Sequence, residues 1–298
     1  FKQKTAYEIG VRLVGSEMCI RDRMTGYKKH WTLDDIPWDN FDPLKVDPEM
    51  LRIVKGAALV EHNGSIYAEY LSNVFYDDPE FQSAAIRWGA EEVQHGEALV
   101  KWVKLADPSF DFESRFKNFS SKITLPTATN KSVRGSRWGE RVARCMVEVG
   151  TSSYYTALRE ATAEPVLREI CRNIARDEIR HYKLFYSHMA RYRTIERLGI
   201  IRRILVGVSR ISESEDDELA YAYYAANNLG EKYDRKQCVR AYMSRAYGFY
   251  RPHHVERGIM LIFKAVGIKP HSKLAAITAK IACYFLNAKA NQQTSTAQ

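Results

Sequence analysis

The sequence predicts an all-α protein with a four-helix bundle at its centre. Three observations predict this fold. Four long segments carry helix-start signals, one long polar stretch separates the second segment from the third, and no stretch has the alternating pattern of a β-strand. Two helical hairpins joined by one long crossover are a common bundle topology.

The four segments begin at recognisable positions. Asp47 and Asp78 each precede a proline, and an N-cap followed by proline at the first helical position is a strong start signal. Ser136 opens the third segment and Pro165 the fourth. At 1.5 Å per residue, each helix is about 40 Å long. The predicted helices lie near residues 48–75, 79–105, 136–162 and 165–192.

The stretches outside these helices complete the predicted organisation. Residues 106–135 form the crossover, and residues 24–47 form a lead-in. The bundle occupies residues 48–193 and a basic helical extension residues 194–290, with a disordered tail at 291–298. Within the extension, an apolar stretch runs from residue 195 to 211. Further helices are expected near residues 217–228, 234–249, 253–267 and 271–289.

The first 23 residues do not look like natural protein. FKQKTAYEIGVRLVGSEMCIRDR resembles the conceptual translation of a sequencing-library adapter, and such scars are excluded from fold reasoning. We therefore expect the protein to start at or near Met24. Because TGYKKHWTLDD follows Met24 without an apolar stretch, we expect no secretory signal and a cytoplasmic location.

Composition excludes several classes of protein. With 45% hydrophobic and 27% charged residues the chain is globular. Its apolar runs are shorter than the roughly 20 residues of a transmembrane helix. The four cysteines after Met24 form no Cys-x-x-Cys pair, which argues against structural zinc, a rubredoxin-type site and a disulfide framework. The net charge is +9. Outside the adapter-like segment, the excess of basic over acidic residues lies entirely after residue 193.

Two Glu-x-x-His motifs carry the chemistry. They are Glu92 to His95 on the second helix and Glu178 to His181 on the fourth. Residues three apart share a helix face, and both motifs fall on the apolar stripe that faces the core. One such motif on a solvated face is usually an accident. Two motifs on core-facing stripes indicate a metal site, because buried charge is costly unless it is paired or binds a metal.

Two further glutamates strengthen this interpretation. Glu61 precedes Glu92, and Glu148 precedes Glu178, by nearly equal separations, which place each pair at one level of an antiparallel hairpin. Four carboxylates and two imidazoles in this arrangement are the pattern of di-iron and di-manganese proteins. Such oxygen and nitrogen ligands suit iron or manganese. The predicted ligands are Glu61, Glu92, His95, Glu148, Glu178 and His181.

Residues 48–192 resemble the ferritin-like di-iron carboxylate superfamily. The segments EEVQHG and DEIRH are most similar in motif to the soluble acyl-carrier-protein desaturases and the bacterial multicomponent hydroxylases. Arg180 within the second motif and Thr151 after Glu148 are part of the resemblance. It implies a ferritin-like fold, two iron ions with manganese as the alternative, and O2 as co-substrate. It also implies an electron donor such as ferredoxin, an acidic acyl-carrier-type partner and a homodimer.

Residues beside the ligands have predicted supporting roles. Glu91 should accept the second ring N–H of His181, and Asp177 that of His95. Thr151, the candidate catalytic residue, either lines an oxygen pocket or allows close helix packing. We interpret several other polar or aromatic residues as structural and assign no role to three histidines without acidic partners at ligand spacing. The structural group is Trp88, Tyr155, His62 and His188, and the three histidines are His253, His254 and His271.

Four functions compete. The first is O2-dependent hydroxylation or desaturation, and the second is iron oxidation or peroxide reduction of the ferritin and rubrerythrin type. Against the second stand the missing rubredoxin-type cysteines and the long extension. A ribonucleotide-reductase-like radical subunit is disfavoured because Leu99 stands where the resemblance requires tyrosine. The fourth is docking of nucleic acid, anionic lipid or an acidic protein by the basic extension, for which the candidates are Arg197, Arg202, Arg203 and Arg210.

Overall fold

The protein is all-α over the described part of the chain. The computed structural model describes residues 30–192, 195–196, 198–213, 217–228 and 230–290, without the side chains of 211–213, and these residues contain no β-strand. The adapter-like segment, the tail and Arg197 lie outside the described residues. The chain divides into two units, residues 1–35 and 36–298. The first is described only at its end, where Leu33–Asp35 form a 3-10 turn.

The predicted helix starts are confirmed. The first six helices are α1 (Pro48–His62), α2 (Gly64–Val74), α3 (Pro79–Ala106), α4 (Phe112–Lys122), α5 (Arg137–Ala161) and α6 (Pro165–Tyr192). The Asp47 carboxylate accepts hydrogen bonds from the backbone of the first turn of α1, the Asp78 carboxylate from that of α3, and the Ser136 hydroxyl from that of α5.

The prediction of one continuous helix over residues 48–75 was wrong. The helix is interrupted at Asn63, whose backbone has φ −82° and ψ 7°, so that α1 and α2 are separate. Asn63 and Gly64 have low helix propensity, and the break lies where α1 and α2 press against α3. A Cβ at Gly96 would lie only 2.5 Å from the backbone nitrogen of His62. The backbones of α1 and α3 therefore nearly touch beside Glu61, the residue that precedes His62.

The crossover contains a helix that the sequence analysis missed. Asp111 caps α4 by accepting a hydrogen bond from the Ser114 backbone N–H. Two aromatic side chains of α4, Phe112 and Phe119, are buried. The polar composition of residues 106–135 concealed this short amphipathic helix, because its apolar positions are few and widely spaced.

The long helices form two packed pairs. In one, α1 and α2 pack against α3; in the other, α5 packs against α6, and α3 contacts α6 between the pairs. Their shared core includes Phe81, Trp88, Val142 and Phe185. The four segments predicted to form a bundle thus contact one another along their apolar faces. Membership of the ferritin-like superfamily stays a prediction.

Glu164 ties three parts of the fold together. Its side chain is fully buried and accepts hydrogen bonds from the indole N–H of Trp102 at 2.7 Å and the backbone N–H of Leu167 at 2.7 Å. It also accepts one from the backbone of Asp42 at 3.2 Å. One carboxylate therefore caps α6, holds the end of α3 and anchors the segment before α1.

The predicted helices after residue 193 are present. They are α7 (Ile200–Glu213), α8 (Leu219–Asn227), α9 (Arg235–Gly248), α10 (Pro252–Val266) and α11 (Lys273–Ala290). Two of them pack on the long helices, α8 against α1 and α10 against α5, while α7 also contacts α5. None of the helices in the described part of the chain is both long and apolar enough to cross a membrane.

The arginines proposed as a docking face on α7 do not share one surface. Arg202 is exposed, whereas Arg210 is only 7% exposed. Arg203 is partly buried, with its guanidinium 5.1 Å from the centre of the Trp138 ring. Because the helix packs by one side, its arginines divide between solvent and core. The prediction of a shared docking face was therefore wrong for Arg210.

Candidate metal centre

The six predicted ligand side chains meet inside the molecule. Four helices supply them: α1 and α5 each give one glutamate, and α3 and α6 each give a Glu-x-x-His pair. Glu61 lies at the C-terminal end of α1, whereas the other five residues lie near the midpoints of their helices. Each residue of the set is at most 7% exposed. The cluster consists of Glu61, Glu92, His95, Glu148, Glu178 and His181.

The cluster comprises two overlapping groups of four. Glu61 and His95 complete one group, and Glu148 and His181 complete the other, while Glu92 and Glu178 belong to both. Within each group the ligand atoms lie within 4.8 Å of one another. Each group could hold one metal ion. Carboxylates common to both groups could bridge two ions, as in two-metal sites.

The Nδ1 atom of each histidine faces the carboxylates. For His95, Nδ1 lies 3.4 Å from Glu92 Oε2, 3.4 Å from Glu178 Oε1 and 3.7 Å from Glu61 Oε2. For His181, Nδ1 lies 3.0 Å from Glu92 Oε1 and 3.5 Å from Glu148 Oε2. The same ring atom of both histidines is thus presented to the centre of the cluster.

The Nε2 atoms face outward to the two carboxylates predicted from sequence. His95 Nε2 lies 3.2 Å from Asp177 Oδ2, and His181 Nε2 lies 2.7 Å from Glu91 Oε2. A carboxylate in this position accepts the Nε2–H and so directs the Nδ1 lone pair inward, towards a metal. Both contacts connect opposite Glu-x-x-His helices, α3 and α6.

Arg180 joins these two outer carboxylates, which the sequence analysis did not anticipate. Its Nη2 lies 3.0 Å from Glu91 Oε2 and 2.8 Å from Asp177 Oδ1. The guanidinium therefore holds both carboxylates in position. The available signal was the spacing of three between Asp177 and Arg180, which places them on one face of α6.

Burial and mutual charge perturb the acids of the cluster in different directions. Burial raises the pKa of Glu61 to about 8. Burial, with the Glu178 charge, also raises the pKa of Glu148 well above its usual value. Burial acts the same way on Glu92, but the charge of His181 outweighs it and lowers the pKa of Glu92. A bound cation would favour the ionised form of all these carboxylates.

Several ligand atoms in the cluster have no hydrogen-bond partner within the described residues. The buried atoms without a hydrogen-bond partner include Glu148 Oε1 and Oε2, Glu178 Oε1 and His181 Nδ1. Unsatisfied polar atoms in a protein interior are costly. Metal coordination would satisfy them, and the donor set of carboxylate oxygens and imidazole nitrogens suits iron or manganese. The residues therefore fit a pair of such ions.

Two hydroxyl groups hold carboxylates of the cluster. The Thr151 hydroxyl donates a hydrogen bond of 2.7 Å to Glu178 Oε2. The buried Tyr155 hydroxyl donates one of 2.7 Å to Glu61 Oε1. The sequence analysis interpreted Tyr155 as structural and did not predict this hydrogen bond to Glu61.

A cavity of about 60 Å³ borders the cluster. Glu148, Glu178 and Thr151 line one side, which places the predicted catalytic threonine at its wall. Trp88 also lines the cavity, and its ring lies 6.4 Å from that of His181. The remaining wall includes Tyr67, Arg144, Arg210 and Glu218. A small ligand could thus approach the carboxylates directly.

The histidines outside the cluster are placed elsewhere. His62 packs edge-on against Phe112 at 4.9 Å, in agreement with a structural role. The expectation that His253 and His254 lack acidic partners was wrong, because Glu160 Oε2 lies 3.0 and 2.9 Å from their Nε2 atoms. His254 Nδ1 accepts the Arg251 backbone N–H at 3.0 Å. The neutral ring therefore carries its proton on Nε2, which leaves no lone pair there for a metal.

Comparisons with known proteins add no family assignment. No protein-family model matches the chain, and no curated protein has a significantly similar sequence.

Proposed function

We propose that this protein is a di-iron carboxylate oxidoreductase that uses O2 to hydroxylate or desaturate an organic substrate. The observation that carries the proposal is the pair of overlapping groups that share Glu92 and Glu178, buried on four helices. When bound, two iron ions would supply the redox chemistry with O2, with manganese as the alternative metal. The protein would supply geometry, dryness and substrate position.

The chain's own residues support this chemistry in specific ways. Asp177 and Glu91 keep the Nε2 protons of the two histidines, so that each Nδ1 can act as a ligand. Thr151 fixes one oxygen of Glu178. The neighbouring cavity offers a substrate a place beside the carboxylates. The same cavity favours an oxidoreductase over iron storage, which needs no organic binding site.

Partners follow from electron balance. Complete reduction of O2 takes four electrons, and the substrate provides two of them. In desaturation both oxygen atoms leave as water, whereas in hydroxylation one leaves as water and the other stays in the product. A second protein must supply the other two, and we propose an acidic electron donor of the ferredoxin type. An acyl-carrier-type partner and a homodimer belong to the same proposal. The positive charge after residue 193 suits an acidic partner.

The test is anaerobic titration with iron(II), followed by measurement of bound iron. We expect two irons per chain, falling towards one in Glu148→Ala and His181→Ala, which each remove a ligand from one group. Glu160→Ala is the matched control, because it removes a glutamate in contact with two histidines outside the cluster. Unchanged two-iron binding in both ligand variants would disprove the site.

Exposure to O2 then separates the two redox functions. A coupled di-iron(III) Mössbauer signal, limited to two irons per chain, supports the oxidoreductase. Accumulation of many ferric ions per chain as mineral would instead support the ferritin-like alternative.

A further inference from the structure

The cavity beside the carboxylate cluster has a cationic wall. Arg144 and Arg210 line it at 5% and 7% exposure. Arg210 has a carboxylate close by, since Glu218 Oε2 lies 4.0 Å from its Nη2, and the Tyr67 hydroxyl donates a hydrogen bond to the same Glu218. Arg144 is in a different situation.

Arg144 is a buried cation without a hydrogen-bonded anion among the described residues. The nearest oxygen of Glu140 lies 3.9 Å from its Nε, which is buried and has no hydrogen-bond partner. The other oxygen of Glu140 already accepts hydrogen bonds from Tyr70 and Ser132. The Tyr67 ring lies 5.1 Å from the guanidinium. A buried ion without a good partner is destabilising, so an anion that pairs with Arg144 would relieve this cost.

The position of Arg144 relates it to the chemistry of the site. It lies on α5 one turn before Glu148, and both residues line the cavity together with Thr151. An anion held by Arg144 would therefore have the rest of its molecule beside Glu148 and Glu178. The cavity of about 60 Å³ exceeds the roughly 15 Å³ that one water needs, so it has room for a planar carboxylate group.

We propose that Arg144 binds the carboxylate of a small carboxylic-acid substrate and holds the adjacent carbon atoms next to the metal ligands. A guanidinium matches a carboxylate with two parallel hydrogen bonds. This inference rests on the proposed function and narrows its substrate class. A free acid has this carboxylate, whereas an acyl group carried as a thioester does not, so the inference selects a free acid in place of a substrate bound to an acyl-carrier-type partner.

The experiment compares propanoate with propanamide, which has nearly the same shape but no charge. Binding is measured by NMR titration of the protein as purified, and by isothermal titration calorimetry of the protein loaded with manganese(II). We expect propanoate to bind at least tenfold more tightly than propanamide. In Arg144→Gln this preference should disappear, and Arg144→Lys should retain part of it. Arg240→Gln, which changes an exposed arginine outside the cavity wall, is the control and should behave like the parent.

Several results would overturn the inference. These are equal affinity of the parent for both probes, full preference in Arg144→Gln, or inorganic phosphate binding as tightly as propanoate. If Arg144→Gln does not fold, the Arg144 Nε–H resonance of the parent gives the answer, since propanoate but not propanamide should shift it. Metal content is measured separately. Two bound metals without a propanoate preference refute only the inference, whereas a preference without bound metal refutes only the proposed function.

Discussion

Gly96→Ala is a sharp test of how backbone packing positions the metal ligands. Gly96 follows His95 on α3, and an alanine Cβ there would lie 2.5 Å from the backbone nitrogen of His62 and 2.6 Å from its Cα. Backbone atoms cannot rotate away as a side chain can. To reach ordinary contact distance, α1 must therefore move from α3 by roughly 1 Å, which is a typical overpacking distortion.

The expected cost follows from two opposing effects. Overpacking a tight site costs about 1–3 kcal/mol, whereas replacing glycine by alanine within a helix gains about 1 kcal/mol. The net effect is a loss of up to about 2 kcal/mol in the free energy of unfolding. Because Glu61 precedes His62, the same movement separates Glu61 from His95, and metal sites tolerate changes of only about 0.2 Å. The group that contains Glu61 should therefore lose its metal first.

Gly150→Ala is the matched control. Gly150 lies in α5 two residues after Glu148, and a Cβ there would meet no atom within 4 Å. This variant should gain about 1 kcal/mol and keep two metals. Urea unfolding and iron content per chain measure both effects. If Gly96→Ala matches the parent in stability and iron binding, the close approach does not position the ligand. Equal losses in both glycine variants would also refute the reasoning.

Three further outcomes are expected. Thr151→Val should keep two irons but lose about 1 kcal/mol in the free energy of unfolding by urea, because it removes the hydrogen bond to Glu178. Thr151→Ser should match the parent, so equal stability of the two variants would contradict this prediction. Glu164→Ala should cost about 3 kcal/mol, since it leaves the Trp102 indole N–H and backbone donors unsatisfied; a change below 1 kcal/mol would refute the three-way tie. Arg202→Glu should weaken association with an acidic ferredoxin, measured by surface plasmon resonance, more at low salt than at high salt, while iron oxidation by free O2 is unchanged. If the variant and the parent bind with equal affinity at both salt concentrations, docking at this position is eliminated.

The all-α class and the helix starts were predictable because their signals are local. An Asp-Pro pair or an N-terminal serine caps a helix through its own neighbours, so Asp47, Asp78 and Ser136 needed no tertiary knowledge. The candidate ligands were predictable for a related reason. In a regular helix the sequence spacing of two residues determines whether their side chains lie on the same face. Both side chains of a Glu-x-x-His motif on an apolar stripe therefore point into the core. Buried carboxylates and imidazoles at one level of the bundle then indicate a candidate metal site.

Other features depend on how separate helices meet, which sequence spacing does not encode. The break at Asn63 lies where two backbones approach each other, and α4 is held by aromatic contacts that a polar composition conceals. The sequence did not show which carboxylates both groups share, or that Arg180 joins the outer carboxylates.

The cationic wall shows the same division. Spacing placed Glu148 in the core, and it also placed Arg144 one turn earlier on the same helix. Arginine is usually exposed, so the sequence by itself favoured a solvated Arg144. Only contacts between separate helices, such as that of α7 with α5, buried Arg144 and Arg210. The sequence thus determined the helices and the residues that face inward, because helix formation and periodicity are local. The tertiary structure decided which charges meet and which lack partners, because these depend on contacts between segments far apart in the chain.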